Sequence, residues 1–368
     1  MPPPAPIASS ATSSSVPTSS AYSKALVIAR TKAEFSGTAW LSECERDDPN
    51  LRVMPYTVDD PTADYHVPKN KGHEAMVYLT YIIDHYDEID APLADVSLFM
   101  HAHKLTWHNN DLLDSSSVNI VKHLQVPKVL RDGYFNLRCH LDPGCPAHLH
   151  PSVRVTNPHR PEETEIVHVW PILFPGEPVP DVLSQPCCSQ FALSRDRILS
   201  LPKSQYETLR DWLATTPLPD VITGRIFEYV WQKIWTGQNE FCPIEHVCYC
   251  EGYGICFGNA TSYDLWFERR KEFRELSPQL QKFVKLQEEQ PSGDWLHTEE
   301  AKGLRKKMED LRDVLGETKD EAMRRGRDER LRAEEVDTVW WKDAQYDQEE
   351  EEGGEGEEYD DDRDGGFY

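Results

Sequence analysis

Four groups of side chains in this sequence have the types and spacing that chemistry requires. The first is His101-Ala102-His103, which follows an apolar run, with His108 in Trp107-His108-Asn109-Asn110-Asp111 close enough to turn back toward it. Two histidines two apart on an extended segment point to one side, so His101, His103 and His108 could offer nitrogen ligands and Asp111 an oxygen ligand to a divalent metal. Such imidazoles suit Zn²⁺ or another transition metal better than Mg²⁺, which prefers oxygen. The competing reading is a set of structural histidines hydrogen-bonded at a sheet edge. The second group is Arg225 and Glu228, three apart in a helical pattern. As a surface ion pair they would be worth about 0.2–0.5 kcal/mol. If Glu228 is partly buried instead, it could deprotonate an acceptor hydroxyl beside Arg225 and near His101, with Tyr229 and Trp231 offering stacking faces to a sugar.

The third group is a loop that runs into a helix. Lys69, Asn70, Lys71 and Gly72 precede His73, and from there Met76, Leu79, Ile82, Ile83 and Tyr86 mark one buried helical face. A helix N-terminus with a glycine and two lysines beside it suits a phosphate, for which Asn70, Lys71 and Gly72 are the expected contacts. Alternatively, Gly72 merely turns the chain and the lysines are solvated. The fourth group is Cys242, Cys248, Cys250 and Cys256, spaced six, two and six apart. Four-thiolate zinc sites usually show Cys-x-x-Cys pairs, so disulfides to partners such as Cys139, Cys145, Cys187 or Cys188 fit better. Neighbouring Cys187 and Cys188 are then expected to take different partners, and one of the nine cysteines stays free or bridges chains.

The elements that must position these groups are legible in the apolar pattern. Strands are expected at Ala25–Ala29, with Arg30 at its end, at Leu51–Val58, ending in Asp59-Asp60, and at Val96–Met100, ending at His101. Helical character lies between them over Phe35–Cys44 and from His73. Alternating strands and helices imply an open, mostly parallel α/β sheet with helices on both faces. Ligands of such sheets bind beyond the carboxyl ends of the strands, which would gather Arg30, Asp59, Asn70, Lys71, Gly72 and His101 at one edge. Further strands are expected at Tyr134–Cys139 and Ile166–Trp170, and one at Pro186–Ser194 leading into a helix near Arg195. A core helix runs over Thr223–Trp235 with Thr223 as N-cap. Beyond Gly258 the chain becomes charged helix former, and Leu304, Met308, Leu311 and Leu315 form two heptads, fewer than a coiled coil needs.

Composition sets outer limits. The 368 residues are 39% hydrophobic, enough for a sizeable core, and the formal charge of −25 argues against nucleic acid and anionic membrane as partners. Much of that charge is local, since Trp341–Tyr368 holds 13 acidic against two basic residues. The sequence divides into a Pro-, Ala- and Ser-rich leader (1–23), an α/β domain (24–260), a charged helical extension (261–341) and an acidic tail (342–368), with leader and tail expected to be disordered. No window has the length and apolarity of a membrane span, and the N-terminus lacks a signal-peptide pattern, which points to the cytoplasm. The cysteine density points instead to an oxidising, secretory compartment.

Taken together, VPKNKGHEAMVYLTYIIDHY, SLFMHAH with WHNND, GYFNLRCH with GCPAHLH, QPCCSQFALSRDRI, TGRIFEYVWQKIW and CPIEHVCYCEGYGICFG resemble domain of unknown function 3431, a family found mainly in fungi. The resemblance covers about residues 24 to 260 and carries no activity with it, although many relatives look like single-pass secretory proteins. In element order the family is similar to glycosyltransferases of the nucleotide-sugar-binding α/β type. That likeness implies an anionic nucleotide-sugar donor and a divalent metal held by Asp-x-Asp at a strand end, where this chain has His101-Ala102-His103. Three functions follow as expectations: a glycosyltransferase-like enzyme, a metal-dependent hydrolase on the same scaffold, and a non-catalytic binding protein.

Overall fold

The computed structural model describes residues 22–89, 92–153 and 157–336. The expected leader and acidic tail fall almost wholly outside these ranges. Strands β1 (Lys24–Arg30), β2 (Leu51–Thr57), β3 (Val96–His101), β4 (Tyr134–Asn136) and β5 (Phe191–Ser194) form one sheet in the order β2-β1-β3-β5-β4. β1 pairs in parallel with β2 and β3, whereas β5 runs antiparallel between β3 and β4. The sheet is therefore mostly parallel, with its reversal of winding between β1 and β3, where Ala29 pairs with His101. A crevice beyond the carboxyl ends of these two strands is the expected ligand position in such a topology.

Alternation along the strands divides the core. Ala25, Val27, Met54, Tyr56 and Phe99 pack on one face against α2 (Glu74–His85), α5 (Glu163–Leu173), α7 (Lys203–Thr215) and α8 (Asp220–Thr236). Leu26, Ile28, Val53, Leu98 and Met100 pack on the other face. Their layer contains α1 (Leu41–Asp47), α3 (Ser117–His123), α4 (Val126–Asp132) and α9 (Glu245–Tyr253). A short α6 (Arg195–Leu199) follows β5, as expected. Helices thus cover both faces, the arrangement a doubly buried parallel sheet requires.

Three expected elements differ. Ile166–Trp170 lies within α5 rather than in a strand, because Ile166, Val169, Trp170 and Leu173 are the buried positions and recur at helical spacing. Thr223 is inside α8, whose N-cap is Pro219, and its hydroxyl bonds back to the carbonyls of Pro219 and Asp220. The helix expected over Phe35–Cys44 is split into a 3₁₀ segment, Lys32–Thr38, and α1.

The charged extension is an antiparallel pair, α10 (Ala260–Glu289) and α11 (Glu299–Arg327), followed by helical residues 329–336. Met308 and Leu315 are buried, so part of the leucine-rich seam faces its own chain. Arg274 reaches Asp111, Lys319 reaches Asp114, and buried Glu335 accepts from the Gly258 amide and meets His246, which fastens the pair to the α/β domain. No described helix is long and apolar enough to cross a membrane.

Four disulfides staple the fold. Cys139–Cys248 and Cys145–Cys242 tie the segment after β4 to α9 and the loop before it, and Cys250–Cys256 closes a short loop. Cys187 and Cys188 bond to each other instead of to separate partners. The turn that carries them has Cys188 at φ 91° and Ser189 at φ 50°. Cys44 is free and buried, and burial pushes its thiol up to about 12, which leaves it inert.

Candidate functional site

A cavity of about 520 Å³ opens at the carboxyl end of β3, with His101, His108, His148, Arg160, Glu228 and the Cys187–Cys188 disulfide among its walls. A second cavity of about 340 Å³ adjoins it, shares His73, Glu74 and His101, and reaches Arg30, Glu34 and Asn70. The two form one crevice along the reversal of winding, with Glu74 in the first turn of α2 between them.

Glu228 is the most perturbed carboxyl in the crevice. Facing inward from α8, it is held up to about 7 chiefly by burial, opposed by a hydrogen bond from the Cys188 amide at 2.7 Å. Its carbonyl accepts from the Gln185 side chain. Arg225 does not pair with it. That guanidinium lines the same cavity but reaches buried Glu162 instead, at 3.3 Å, and the carbonyl of His159. A carboxyl near 7 on a cavity wall exchanges its proton readily at neutral pH, as a general base or acid must.

His101 ends β3, and its Nε2 donates to the Cys188 carbonyl at 2.8 Å, which leaves Nδ1 as an acceptor. The backbone of Cys188 therefore faces both candidate groups, with its amide on Glu228 and its carbonyl on His101. His108 stacks near His101 with ring centroids 5.0 Å apart, and burial lowers it to about 4. His148, also lowered to about 4 by burial, stacks on Tyr229 at 4.7 Å. Tyr229 thus supports a histidine in the cavity wall, whereas Trp231 is fully buried in the core and offers no face to a ligand. Trp107, largely exposed beneath the Arg138 guanidinium, forms an aromatic rim.

The expected metal set is not brought together. Buried Ala102, whose carbonyl accepts from Trp40, turns the chain after β3, so His103 faces outward to Glu34 at 3.8 Å while His101 faces the cavity. Asp111 lies in a separate 3₁₀ turn and is claimed by Arg274, with both carboxylate oxygens at 2.6 Å. Among the described residues, the two ligand-spaced clusters of three both consist of disulfide-bonded cysteines plus a glutamate. His101, His103, His108 and Asp111 belong to neither.

The anion loop is also arranged differently. The Gly72 amide donates to the Asp220 carboxylate at 2.8 Å, Lys71 reaches the Leu218 carbonyl, and Lys69 the Ala214 carbonyl at 2.6 Å. These donors strap the loop to the α7–α8 connection, and Gly72, at φ 70°, packs where a Cβ would lie 2.4 Å from Leu213. Asn70 and Arg30 do line the smaller cavity. Arg30 bonds the hydroxyls of Thr38 and Thr57 and lies over Phe35, and Asp59 accepts from the Lys32 amide outside the cavity walls.

A profile of the family described as protein of unknown function (DUF3431) matches residues 26–251, more than half of the chain. The chain belongs to that family. No curated protein and no solved structure matches it. The DUF3431 region contains all of the sheet but the first two residues of β1, both cavities and Glu228, and the α10–α11 pair lies beyond it. Glu74, His148, Arg160 and Glu162 line the crevice without being among the candidate site residues of the sequence. Glu74 had a usable signal, since it immediately follows the loop that enters α2, whereas the other three sit in irregular backbone or an unanticipated helix start.

Proposed function

We propose that this protein is a glycosyltransferase-like enzyme, in which Glu228 is the general base that takes the proton from an acceptor hydroxyl. The observation that carries this reading is a half-buried carboxyl held up to about 7 on the wall of the 520 Å³ cavity, at the reversal of winding of a mostly parallel sheet. The acceptor would occupy the larger cavity, where the imidazoles of His101 and His148, the Arg160 guanidinium and the Trp107 rim suit a polyhydroxylated ring. The anionic donor would extend into the smaller cavity toward Arg30 and Asn70. Lys71 and the Gly72 amide, already committed to Leu218 and Asp220, would act on the donor only by holding α2 in place.

Glu34, Glu74 and Asp220 also line the smaller cavity, so a diphosphate there needs countercharge beyond Arg30. The test is a thermal-shift screen of nucleotide diphosphates and nucleotide sugars with and without Mg²⁺, Mn²⁺ and Zn²⁺, because a ligand of the native state raises its melting temperature. Stabilisation by at least one nucleotide sugar, reduced by Arg30→Ala, is the expected result. No stabilisation by any nucleotide under any metal condition would contradict the reading.

A further inference from the structure

We infer that the Cys187–Cys188 disulfide is a redox modification site that holds the crevice in its assembled form, and that a small dithiol opens it and releases Glu228 and His101. The inference rests on the reading of those two residues as the working groups of the crevice. Both cysteines line the larger cavity, so a small reductant reaches them without global unfolding. All six of Cys139, Cys187, Cys188, Cys248, Cys250 and Cys256 are buried, and what sets Cys187 and Cys188 apart is that Cys139, Cys248, Cys250 and Cys256 line neither cavity of the crevice; the half-buried Cys145–Cys242 bridge is the other pair open to a reductant.

The consequence of opening follows from the backbone. Cys188 and Ser189 adopt φ of 91° and 50°, a region that side-chain-bearing residues rarely occupy unless the surroundings enforce it. The enforcing contacts are the covalent ring between neighbouring cysteines, the Cys188 amide on Glu228 and the Cys188 carbonyl on His101. Breaking the ring removes the only covalent one. The reaction is a two-electron exchange in which the disulfide and a dithiol become two cysteine thiols and the cyclic disulfide of the reductant, with the dithiol's two hydrogens ending on Cys187 and Cys188. The freed turn relaxes toward ordinary φ, and the two hydrogen bonds made by the Cys188 backbone, one on either side of its Cα, weaken together.

The experiment uses the full chain. Graded dithiothreitol is followed by alkylation and peptide mass mapping, and amide hydrogen exchange is measured in parallel on peptides covering 185–193. The expected result is that Cys187 and Cys188 become alkylated before the Cys139–Cys248 and Cys250–Cys256 pairs, with exchange in this segment at least tenfold faster once they are open. Cys187→Ser/Cys188→Ser should exchange at that faster rate with or without reductant. If that variant does not fold, the wild-type titration decides alone. Persistence of the pair until the protein unfolds, or its opening with unchanged exchange, would overturn the inference. Neither readout uses turnover or nucleotide binding, so failure of the transferase reading would leave the exchange result standing and be recognised separately.

Discussion

Replacing Glu228 with glutamine should change how stability depends on pH, by an amount that follows from its environment. Burial raises the carboxyl from 4.5 to about 7. At about 1.36 kcal/mol per pKa unit, that difference corresponds to about 3 kcal/mol. Between these two values the folded state binds the proton more tightly than the unfolded chain. The contribution of Glu228 is therefore full below pH 4.5 and is lost as pH rises through 7. Glutamine keeps an oxygen to accept from the Cys188 amide but does not titrate, so any cost of fitting its NH₂ is independent of pH. Denaturant unfolding of both proteins from pH 4.5 to 8.5 isolates the effect, since other titrating groups cancel in the difference. Stability of Glu228→Gln relative to wild type should improve by about 3 kcal/mol across that range. Parallel profiles would show that Glu228 ionises normally and would remove the ground for treating it as a base.

His108, His140 and His148 are each lowered to about 4, chiefly by burial, so the unfolded chain takes up protons below pH 6.5 that the fold resists. Their contribution is complete above pH 6.5 and is lost as pH falls toward 4, and thermal melts should show the melting temperature dropping over that window. Removing the Cys139–Cys248 bridge as a double alanine variant should cost about 3 kcal/mol, because the nested Cys145–Cys242 bridge stays closed and leaves an effective loop of only about 15 residues, measured by chemical denaturation. Gly326→Ala would place a Cβ 1.8 Å from the Gly254 carbonyl, where both partners are backbone. It should therefore cost about 2 kcal/mol or more and speed proteolysis within α11, with little change in the melting of the sheet.

Much of the fold was legible because burial leaves a periodic trace. The continuous apolar runs at β1 and β3, and the spacing of Met76, Leu79, Ile82 and Ile83, fixed strand, helix and sheet edge together. Residues 166–170 misled because β-branched and aromatic side chains favour strands locally, while the deciding period of Ile166, Val169, Trp170 and Leu173 extends beyond that window. Within the site, Glu228, His101, Arg30 and Asn70 were legible because they follow directly from a strand end, a loop or a helix face. Which way a side chain turns was not. A single buried alanine, Ala102, sends His103 away from His101, and Arg274, 163 residues later in sequence, claims Asp111. Asp220 likewise takes the Gly72 amide from across the α7–α8 connection. Such pairings depend on long-range packing that no local spacing records.

Removal of an acceptor proton by Glu228 in the crevice is tested most directly by the pH dependence of transfer. With a nucleotide sugar that stabilises the protein and an acceptor it uses, initial rates should rise with pH through an apparent pKa near 7, as the carboxyl ionises. Glu228→Gln should lose about 10²–10⁴-fold in rate, the usual contribution of a positioned base, and its residual rate should lack that ionisation. A glutamine variant that transfers at the wild-type rate, or a wild-type profile with no ionisation near 7, would contradict the assignment.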